Sequence, residues 1–308
     1  MSWQAGPVTV RVPATSANLG PGFDALGLAL TLYDVVEARI TPGGLAIEVS
    51  GAGQEFAAAG EGHLVVRAMR AAFGVLGGQP PGIGLRCVNA IPQGFGLGSS
   101  AAAIVAGLAA ARALWPGGAA AAGQMLNDQG LLRLATEIEG HPDNVAACLA
   151  GGLTIAWTTG AVPHVARLDP VLALNPVLCI PGVPVPTAHA RQALPPSVPH
   201  ADAAANSARA ALLVAALTAD PALLLDATED FLHQRYRAAA MPATADLVGR
   251  LRAAGVPAVV SGAGPAVLGL TAAGSTPGAD LVTSAAAQAG ATWQVLPLTV
   301  DREGAVVL

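Results

Sequence analysis

The order of apolar and polar residues divides the first half of the chain into strands and helices. Alternation of the two kinds predicts short strands at 8–14, 33–40 and 45–50, because successive side chains of a strand point to opposite faces. Apolar residues spaced three and four apart predict helices at 63–76, 99–114, 129–140 and 143–152. A further strand, 82–91, leads into the glycine-rich stretch before the second of these helices.

The pattern changes after residue 157, and prolines become frequent from Pro163 to Pro199. We therefore place a domain boundary in this region and predict two domains, 1–165 and 166–308. The elements predicted for the second domain are helices at 203–218, 243–254 and about 277–289, a strand–turn–strand at 258–270 and a strand at 293–300. Strands that alternate with paired helices are typical of an α+β fold.

Composition excludes several kinds of function. The formal charge of −5 lacks the basic excess that a nucleic-acid partner requires. The chain has no lysine, and all fifteen of its basic residues are arginine. A Walker-type phosphate-binding lysine, the strand lysine of protein kinases and a Schiff-base lysine are therefore excluded.

The cysteines and the apolar stretches bear on the compartment. Cys87, Cys148 and Cys179 are far apart and form no CxxC pair, so we expect reduced thiols in the core of a cytoplasmic protein. The first residues lack the charged and apolar regions of a signal peptide. The longest apolar stretch, 101–111, is alanine-rich and too short to span a bilayer, so no membrane partner is expected.

The stretch PQGFGLGSSAAAIVAGLAAA (92–111) places three glycines and two serines directly before a predicted helix. Glycines let backbone N–H groups converge on an anion, and the helix adds its unpaired N–H groups and the positive end of its dipole. The spacing matches neither the Walker pattern nor GxGxxG. The stretch alone fits a flexible, serine-capped turn equally well. With support from elsewhere in the chain it predicts a triphosphate site, where a side chain at Gly96 or Gly98 would block the phosphates.

Three segments resemble the motifs of the galactokinase–homoserine kinase–mevalonate kinase–phosphomevalonate kinase (GHMP) superfamily. VPATSANLGPGFDALGLAL (12–30) resembles the first motif, PQGFGLGSSAA (92–102) the second and VSGAGPAVLGL (260–270) the third. The resemblance implies a two-domain α+β fold, with an N-terminal ribosomal-protein-S5-like domain and a C-terminal ferredoxin-like domain. SANLGPGFDALG, EGHPDNVA (139–146) and PTAHARQALP (186–195) are most similar to the homoserine kinases.

The resemblance implies ATP and Mg²⁺ as cofactors. The nucleotide contacts that it implies are Pro92, Gly94, Gly96, Leu97, Gly98, Ser99, Ser100, Ala101 and Ala102. Of the two glutamates in TEIEG, we choose Glu137 over Glu139 as the Mg²⁺ ligand, with Ser99 or Ser100 opposite it. Residues two apart do not share a helix face, so only one glutamate can point into the site. Both could equally lie on a solvated helix face.

The substrate implied is L-homoserine, a zwitterion with a short hydroxyl arm. Asp24 would bind its ammonium group, and Arg191 and Arg237 its carboxylate, which arginine can hold with two parallel hydrogen bonds. Arg235 stands where similar proteins carry proline, so the two nearby arginines could exchange roles. From the residues alone, Asp24 could be a turn or cap residue, and the arginines could lie on the surface. The remaining substrate contacts implied are Asn18, His141, Asn144 and Thr187.

For the chemistry, the resemblance implies Asn144 and Asn18 as catalytic residues and no strong general base. Asn144 would orient the hydroxyl, because phosphoryl transfer needs little early proton removal, and Asp143 would cap the following helix. His63 replaces an asparagine that similar enzymes carry near the adenine pocket. A homodimer is the family's expectation. The alternatives are another GHMP small-molecule kinase, of mevalonate or shikimate type, and a binding relative without turnover.

Overall fold

The structure is a computed structural model that describes residues 3–4, 6–184, 187–274 and 276–308, without the side chains of 187–189. The strands within these residues are β1 (Val8–Ala17), β2 (Leu26–Thr41), β3 (Gly44–Gly51), β4 (Gly82–Asn89), β5 (Leu153–Thr159), β6 (Val162–Leu168), β7 (Leu174–Pro181), β8 (Ala258–Val260), β9 (Val267–Ala272), β10 (Trp293–Pro297) and β11 (Val306–Val307). The helices are α1 (Leu64–Leu76), α2 (Ser99–Leu114), α3 (Gly118–Gly123), α4 (Asp128–Glu139), α5 (Pro142–Ala150), α6 (Thr187–Gln192), α7 (His200–Thr218), α8 (Leu224–Ala227), α9 (Gln234–Arg237), α10 (Pro242–Ala253) and α11 (Ala279–Gln288). Short 3₁₀ segments lie at Gln54–Gly62, Pro221–Leu223 and Ala238–Ala240.

The first half of the chain forms a sheet covered by helices. Its described strands run in the order β11-β1-β2-β4-β3, with β5 beside β2 and β6 beside β5. Helix α2 packs against β1, β2 and α1, and most of its residues are buried, many of them alanines that allow close approach. A side chain at Gly107 would stand only 2.5 Å from the carbonyl oxygen of Val65 in α1. The small residues of the alanine-rich stretch therefore hold α2 deep in the core, with its N-terminus at the glycine-rich turn.

The second half forms a smaller antiparallel sheet. Its described strands run in the order β10-β7-β9-β8, and α10 and α11 pack on it around Val177, Leu247 and Val267. The last strand, β11, leaves this half and pairs with β1 in the first sheet. Two sheets with helices packed against each confirm the predicted α+β class.

The predicted helices agree with the structure to within about two residues at most ends, but two strands in the proline-rich region were not predicted. Strand β6 pairs with β5, and the almost fully buried β7 is a central strand of the second sheet. The predicted boundary at residue 165 lies inside β6, and the chain changes sheets between Leu168 and Leu174. The division of the chain by residue number stays a prediction, and we propose that the second domain begins after Leu168.

The three cysteines lie in the core, as the sequence predicts. Cys87, Cys148 and Cys179 are free and buried, and burial raises the pKa of the Cys87 and Cys179 thiols to about 12. Among the residues that the structure describes, no helix has the length and apolar character needed to cross a membrane.

Asp34 joins β2 to the segment that enters the glycine-rich turn. Its Oδ1 accepts the backbone N–H groups of Ala90 at 2.8 Å and Ile91 at 2.9 Å, and the residue is only 5% exposed. Burial raises the pKa of the Asp34 carboxyl from 3.8 to about 6, against the opposing effect of the two N–H groups. Asp34 therefore fixes the start of the turn at a cost in free energy whenever it is ionised.

Replacing Asp34 with asparagine should flatten the pH dependence of stability. Because its folded pKa is raised, Asp34 contributes stability below about pH 4 that is lost as pH rises through about 6. Asparagine keeps the acceptor oxygen without the charge. We expect the free energy of unfolding of Asp34→Asn, relative to wild type, to increase by about 1–3 kcal/mol between pH 4 and pH 7.

Urea unfolding at pH 4, 5, 6 and 7 measures this difference. The matched control is Glu48→Gln on the edge strand β3, where the side chain is exposed, and its difference from wild type should stay nearly constant. A constant difference for Asp34→Asn as well would mean that burial does not perturb this carboxyl.

Candidate active site

A cleft of about 470 Å³ lies where segments of both halves of the chain meet. The three motifs singled out in the sequence are joined beside it by backbone hydrogen bonds. Thr15 N–H donates to the Leu97 carbonyl at 3.0 Å, Gly262 N–H to the Ala17 carbonyl at 3.0 Å, and Ala266 N–H to the Phe95 carbonyl at 3.2 Å. Segments more than 200 residues apart in sequence therefore form one wall.

The glycine-rich turn forms the middle of the cleft. Gly94, Gly96 and Gly98 have φ angles of 80°, 76° and 66°, in the left-handed region that glycine adopts without strain. Gly98 is the N-cap of α2, so the unpaired N–H groups of the first helical turn open here. An ideal Cβ on Gly96 would overlap the Ser261 carbonyl, and one on Gly98 would overlap the Thr15 hydroxyl. A side chain at either glycine would therefore collide first with the protein's own atoms. The sequence had led us to expect a collision with the phosphates.

Most of the predicted nucleotide contacts line this cleft. The lining residues among them are Pro92, Gly94, Gly96, Leu97, Gly98, Ser99, Ser100 and Ala102. Ala101 does not line it, because its position in the first turn of α2 packs its methyl group into the hydrophobic core. The nucleotide contact at Ala101 therefore stays a prediction, and its side chain belongs to the core.

Of the two glutamates at the end of α4, the structure brings Glu139, and not the expected Glu137, into the cleft. The Glu137 carboxylate lies on the exposed face of α4, where Arg133 Nε donates to it at 2.8 Å. Glu139, the last residue of α4, lines the cleft and accepts a 2.6 Å hydrogen bond from the Ser100 hydroxyl. Burial raises the pKa of the Glu139 carboxyl, while the Ser100 bond acts in the opposite direction. The expectation that only one of the two glutamates points inward agrees with this geometry.

The first motif presents Asp24 through a strained turn. Asn18, Leu19 and Asp24 have φ angles of 68°, 51° and 53°, a conformation that costs energy for residues other than glycine and is common at functional sites. Asn18 Nδ2 donates to the Gly262 carbonyl at 2.8 Å, and Asn18 Oδ1 accepts the backbone N–H of Asp24 at 2.9 Å. Asn18 thus lines the cleft with both ends of its amide engaged, and it holds Asp24 in place.

Arg191 and Arg237 both reach the cleft, whereas Arg235 does not. Arg191 Nη2 donates to Asp24 Oδ1 at 3.1 Å, and both side chains are more than a third exposed. Arg237 is 1% exposed but lines the cleft, and its Nε donates to the Ala190 carbonyl at 3.0 Å. Arg235 is paired with Asp202 and Tyr236 on the surface. Of the two arginines left open by the sequence, the structure brings Arg237 into the cleft that Asp24 also lines and leaves Arg235 outside it.

His141, Asp143 and Asn144 stand at the N-terminus of α5 and line the cleft. Asn144 Oδ1 accepts a 2.8 Å hydrogen bond from the Thr15 hydroxyl. Asp143 is buried, its Oδ1 accepts the backbone N–H of Asn144 at 2.7 Å, and burial raises the pKa of its carboxyl. Because this bond joins adjacent residues within the first turn of α5, Asp143 supports Asn144 and does not act as the expected helix cap.

Two predicted positions need separate mention. Thr187 begins α6, but its side chain lies outside the described residues. His63 is the N-cap of α1 and lines the cleft. It is 8% exposed, and burial lowers the pKa of its imidazole.

Sequence reasoning overlooked Thr15 and His233. Thr15 lies inside the first motif, one residue before Ser16, and only the fold brings it to Asn144. His233 is buried and bonded to Arg237. The spacing His-x-x-x-Arg was an available signal, because residues four apart share a helix face.

Comparison with known proteins gives consistent matches over the whole chain. The family model described as GHMP kinases N terminal domain matches residues 63–152, and GHMP kinases C terminal matches residues 210–291. The chain is similar to a homoserine kinase of Streptomyces coelicolor, with 55% identity over all of this chain and 96% of the relative. It is also similar to the crystal structure of a homoserine kinase from Cytophaga hutchinsonii, with a TM-score of 0.81 and 27% identity over the full length of both chains.

Proposed function

We infer the function of this chain from its family: it belongs to the GHMP kinases and, within them, to the homoserine kinases. It is an ATP-dependent small-molecule kinase. It transfers the γ-phosphoryl group of ATP to the side-chain hydroxyl of L-homoserine, forming O-phospho-L-homoserine for threonine biosynthesis. The observation that carries this function in the structure is one cleft lined by the glycine-rich turn, the Asp24 carboxylate and two arginines.

We propose that the triphosphate of ATP lies on the glycine-rich turn, against the N-terminus of α2. Backbone N–H groups and the helix dipole attract it without a lysine. The reacting end of the triphosphate must face Asp24 and Asn144, so the base lies toward the opposite end of the cleft. We propose that Phe56, His63 and Val65, which also line the cleft, surround the base.

We propose Glu139 and Ser100 as the protein ligands of Mg²⁺. Both offer hard oxygen atoms, which this ion prefers. The only described partner of the half-buried Glu139 carboxylate is a neutral hydroxyl, so a nearby cation would compensate its burial. When bound with ATP, Mg²⁺ supplies charge neutralisation of the phosphates.

The amino acid fits the other end of the cleft. We propose that Asp24 accepts the ammonium group of homoserine and that Arg191 and Arg237 donate to its carboxylate. Asn18 holds the Asp24 turn through the hydrogen bonds described above. Asn144 is then left to orient the hydroxyl through its amide nitrogen, since Thr15 occupies its oxygen.

A panel of acceptors tests the function directly. ADP release is measured with homoserine, mevalonate and galactose at equal ATP and Mg²⁺ concentrations. We expect turnover with homoserine alone, because neither of the others has an ammonium group for Asp24. Turnover with mevalonate instead would favour another kinase of the family, and ATP binding without turnover would favour a binding protein. The homodimer, expected from the resemblance, and the cytoplasmic location, expected from the cysteines, stay predictions.

Substitution at Gly98 should damage the phosphate site from within. In Gly98→Ala the new methyl group meets the Thr15 hydroxyl and stands 3.0 Å from Asn144 Oδ1, so the turn must shift. We expect the Kd for ATP, measured by calorimetry, to rise by about tenfold or more, which corresponds to roughly 1.4 kcal/mol.

The matched control for Gly98→Ala is Gly118→Ala. Gly118 has a similar φ of 72° but no atom within 4 Å of an added Cβ, so it reproduces the backbone strain without the contact. Gly118→Ala should leave the Kd unchanged. An equal effect of both substitutions on ATP binding would attribute the loss to backbone strain and remove the turn from the site.

Asn144 should contribute through orientation and not as a base. We expect Asn144→Ala to lower kcat by about ten- to hundredfold, in the range of other orienting or polarising groups. Asn144→Asp should not exceed the wild-type rate, since a carboxylate there would face the phosphates. Steady-state kinetics at saturating substrates measure both. A large rate gain in the aspartate variant would show that the reaction is limited by a missing base.

A further inference from the structure

His233 is a fully buried histidine that contacts both sides of the amino-acid end of the cleft. It is 0% exposed and stands immediately before α9. Its Nε2 lies 2.9 Å from the Gly20 carbonyl oxygen in the first motif, and its Nδ1 lies 2.9 Å from Arg237 Nη1. Its ring stacks on Phe23, the residue before Asp24, at 5.2 Å between centroids. One imidazole therefore links the turn that carries Asp24 to the arginine across the cleft.

The partners of His233 leave only one protonation state. A guanidinium group can only donate hydrogen bonds, so Nδ1 must be the acceptor. A carbonyl oxygen can only accept, so Nε2 must carry the proton. A second proton on Nδ1 would point at the Arg237 guanidinium. With both bonds in place, His233 is therefore a neutral imidazole with its proton on Nε2.

The charged groups around the ring agree with this state. Arg237 faces Nδ1, the Asp230 carboxylate lies 3.8 Å from Nε2, and Asp24 lies on the adjoining turn. Burial lowers the pKa of His233, and Arg237 acts in the same direction, while Asp230 and Asp24 oppose them. Asp230 is also occupied, because it accepts the backbone N–H groups of His233 and Gln234 at 3.0 Å and 2.6 Å.

The Arg237 guanidinium is fixed by three acceptors. Its Nε donates to the Ala190 carbonyl in α6, and its Nη1 donates to His233 and, at 3.4 Å, to the Gly262 carbonyl. His233 supplies the shorter of the two Nη1 bonds and is the only side chain among these acceptors. Nη2 has no partner among the described residues. The hydrogen bonds of Nε and Nη1 therefore set the plane of the guanidinium, and Nη2 is available to donate to a ligand.

We propose that His233 is a positioning residue that fixes Arg237 relative to the Asp24 turn, and thereby sets the spacing between the carboxylate and ammonium sites for homoserine. This role rests on the proposed function of the cleft. The His233 side chain does not touch the substrate and acts through the Arg237 guanidinium and the Gly20 carbonyl. Phe23 stacks on the same ring and directly precedes Asp24, so it extends the contact of His233 to the Asp24 turn.

Two substitutions separate the halves of this role. Asparagine places an acceptor oxygen at the δ position and can keep the bond to Arg237, whereas glutamine reaches the ε position and keeps only a donor to Gly20. For His233→Gln we expect KM for homoserine to rise about tenfold with kcat within about threefold, the scale of one hydrogen bond to a charged group. For His233→Asn we expect KM to stay within about threefold of wild type, through rescue of that bond.

A second substrate distinguishes positioning from general damage. 3-Aminopropan-1-ol keeps the ammonium and hydroxyl groups of homoserine but has no carboxylate for Arg237. Its kcat/KM, and the Kd for ATP, should be the same in His233→Gln and wild type. Equal KM values for homoserine in the two variants, or equal losses of His233→Gln with both substrates, would overturn the proposal.

One measurement needs no variant. Nitrogen-15 NMR of histidine-labelled wild-type protein should give His233 the neutral form with its proton on Nε2 at pH 7. A protonated ring or a proton on Nδ1 would also overturn the proposal. Failure of the proposed function has a different signature, because wild-type protein would then release no ADP with homoserine whatever the state of His233.

Discussion

Replacing Glu139 with glutamine is expected to lower kcat by about a hundred- to a thousandfold, or about 3–4 kcal/mol of activation free energy. Glu139 faces Ser100 at the start of α2, where the phosphates and Mg²⁺ are proposed to bind. Glutamine keeps the size of the side chain but loses the charge that we propose as a metal ligand. The rate should recover in part at high Mg²⁺ or with Mn²⁺. Steady-state kinetics over a range of metal concentrations measure both effects.

Glu137→Gln is the matched control, because it makes the same chemical change two residues away on the exposed face of α4. It breaks only the surface pair with Arg133, and such pairs contribute about 0–1 kcal/mol to stability, so kcat should stay within about twofold. Electron paramagnetic resonance of Mn²⁺ with ATP gives a readout independent of turnover, and metal affinity should fall only in Glu139→Gln. The opposite ranking of the two variants would move the metal site to Glu137.

The two glutamates illustrate what the sequence alone could decide. Helical spacing predicts that only one of them faces the cleft, and this follows from local geometry. Which one it is depends on the rotation of α4 about its axis. That rotation is set by the packing of Leu131, Leu132 and Ala135 in the core, which a pattern of spacing does not fix.

The fold was predictable where its signals are local. Amphipathic helices such as α1 and α10 follow from apolar spacing and from their glycine and proline ends. Strand β7 was missed because it is buried on both faces and so shows no alternation, and because it contains prolines. The return of β11 to pair with β1 joins residues almost 300 apart, and only tertiary packing selects that partner.

The site was predictable in its membership more than in its arrangement. Motif resemblance supplied Asp24, Arg191, Arg237 and Asn144, and all four line the cleft. The ion pair between Asp24 and Arg191, the bond from Thr15 to Asn144 and the bond from His233 to the Gly20 carbonyl are contacts between distant segments. No composition or spacing encodes them.

The Asp24–Arg191 ion pair should make the enzyme selective for zwitterions. Each member neutralises the other at 3.1 Å before a substrate binds. Homoserine can replace this ion pair with two new ones, because its ammonium group can pair with Asp24 and its carboxylate with Arg191. A substrate with only one charge would pair with one of these side chains and leave the other without a partner. Hydrogen bonds to charged groups contribute about 1.5–3 kcal/mol each. We expect kcat/KM for homoserine to exceed that for 3-aminopropan-1-ol and that for 4-hydroxybutanoate by about ten- to hundredfold or more.

Asp24→Asn should reverse part of this selectivity. It removes the charge that holds the ammonium group, so kcat/KM for homoserine should fall by about ten- to hundredfold. The same change frees Arg191 from its pair, so 4-hydroxybutanoate, which has a carboxylate and no ammonium group, should be used as well as or better than by wild type. Arg191→Gln should give the mirror result, with a large loss for homoserine and little further loss for 3-aminopropan-1-ol.

The matched control for these variants is Arg235→Gln, which removes an arginine that is paired with Asp202 outside the cleft. It should leave kcat/KM for all three substrates unchanged, and the Kd for ATP should be unchanged in every variant. If Asp24→Asn lowered kcat/KM equally for homoserine and 4-hydroxybutanoate, the carboxylate of Asp24 could not be the ammonium acceptor. Its pairing with Arg191 would then serve to hold α6 over the cleft, and selectivity for the amino group would have to come from another carboxylate, of which Asp143 lines the same cleft.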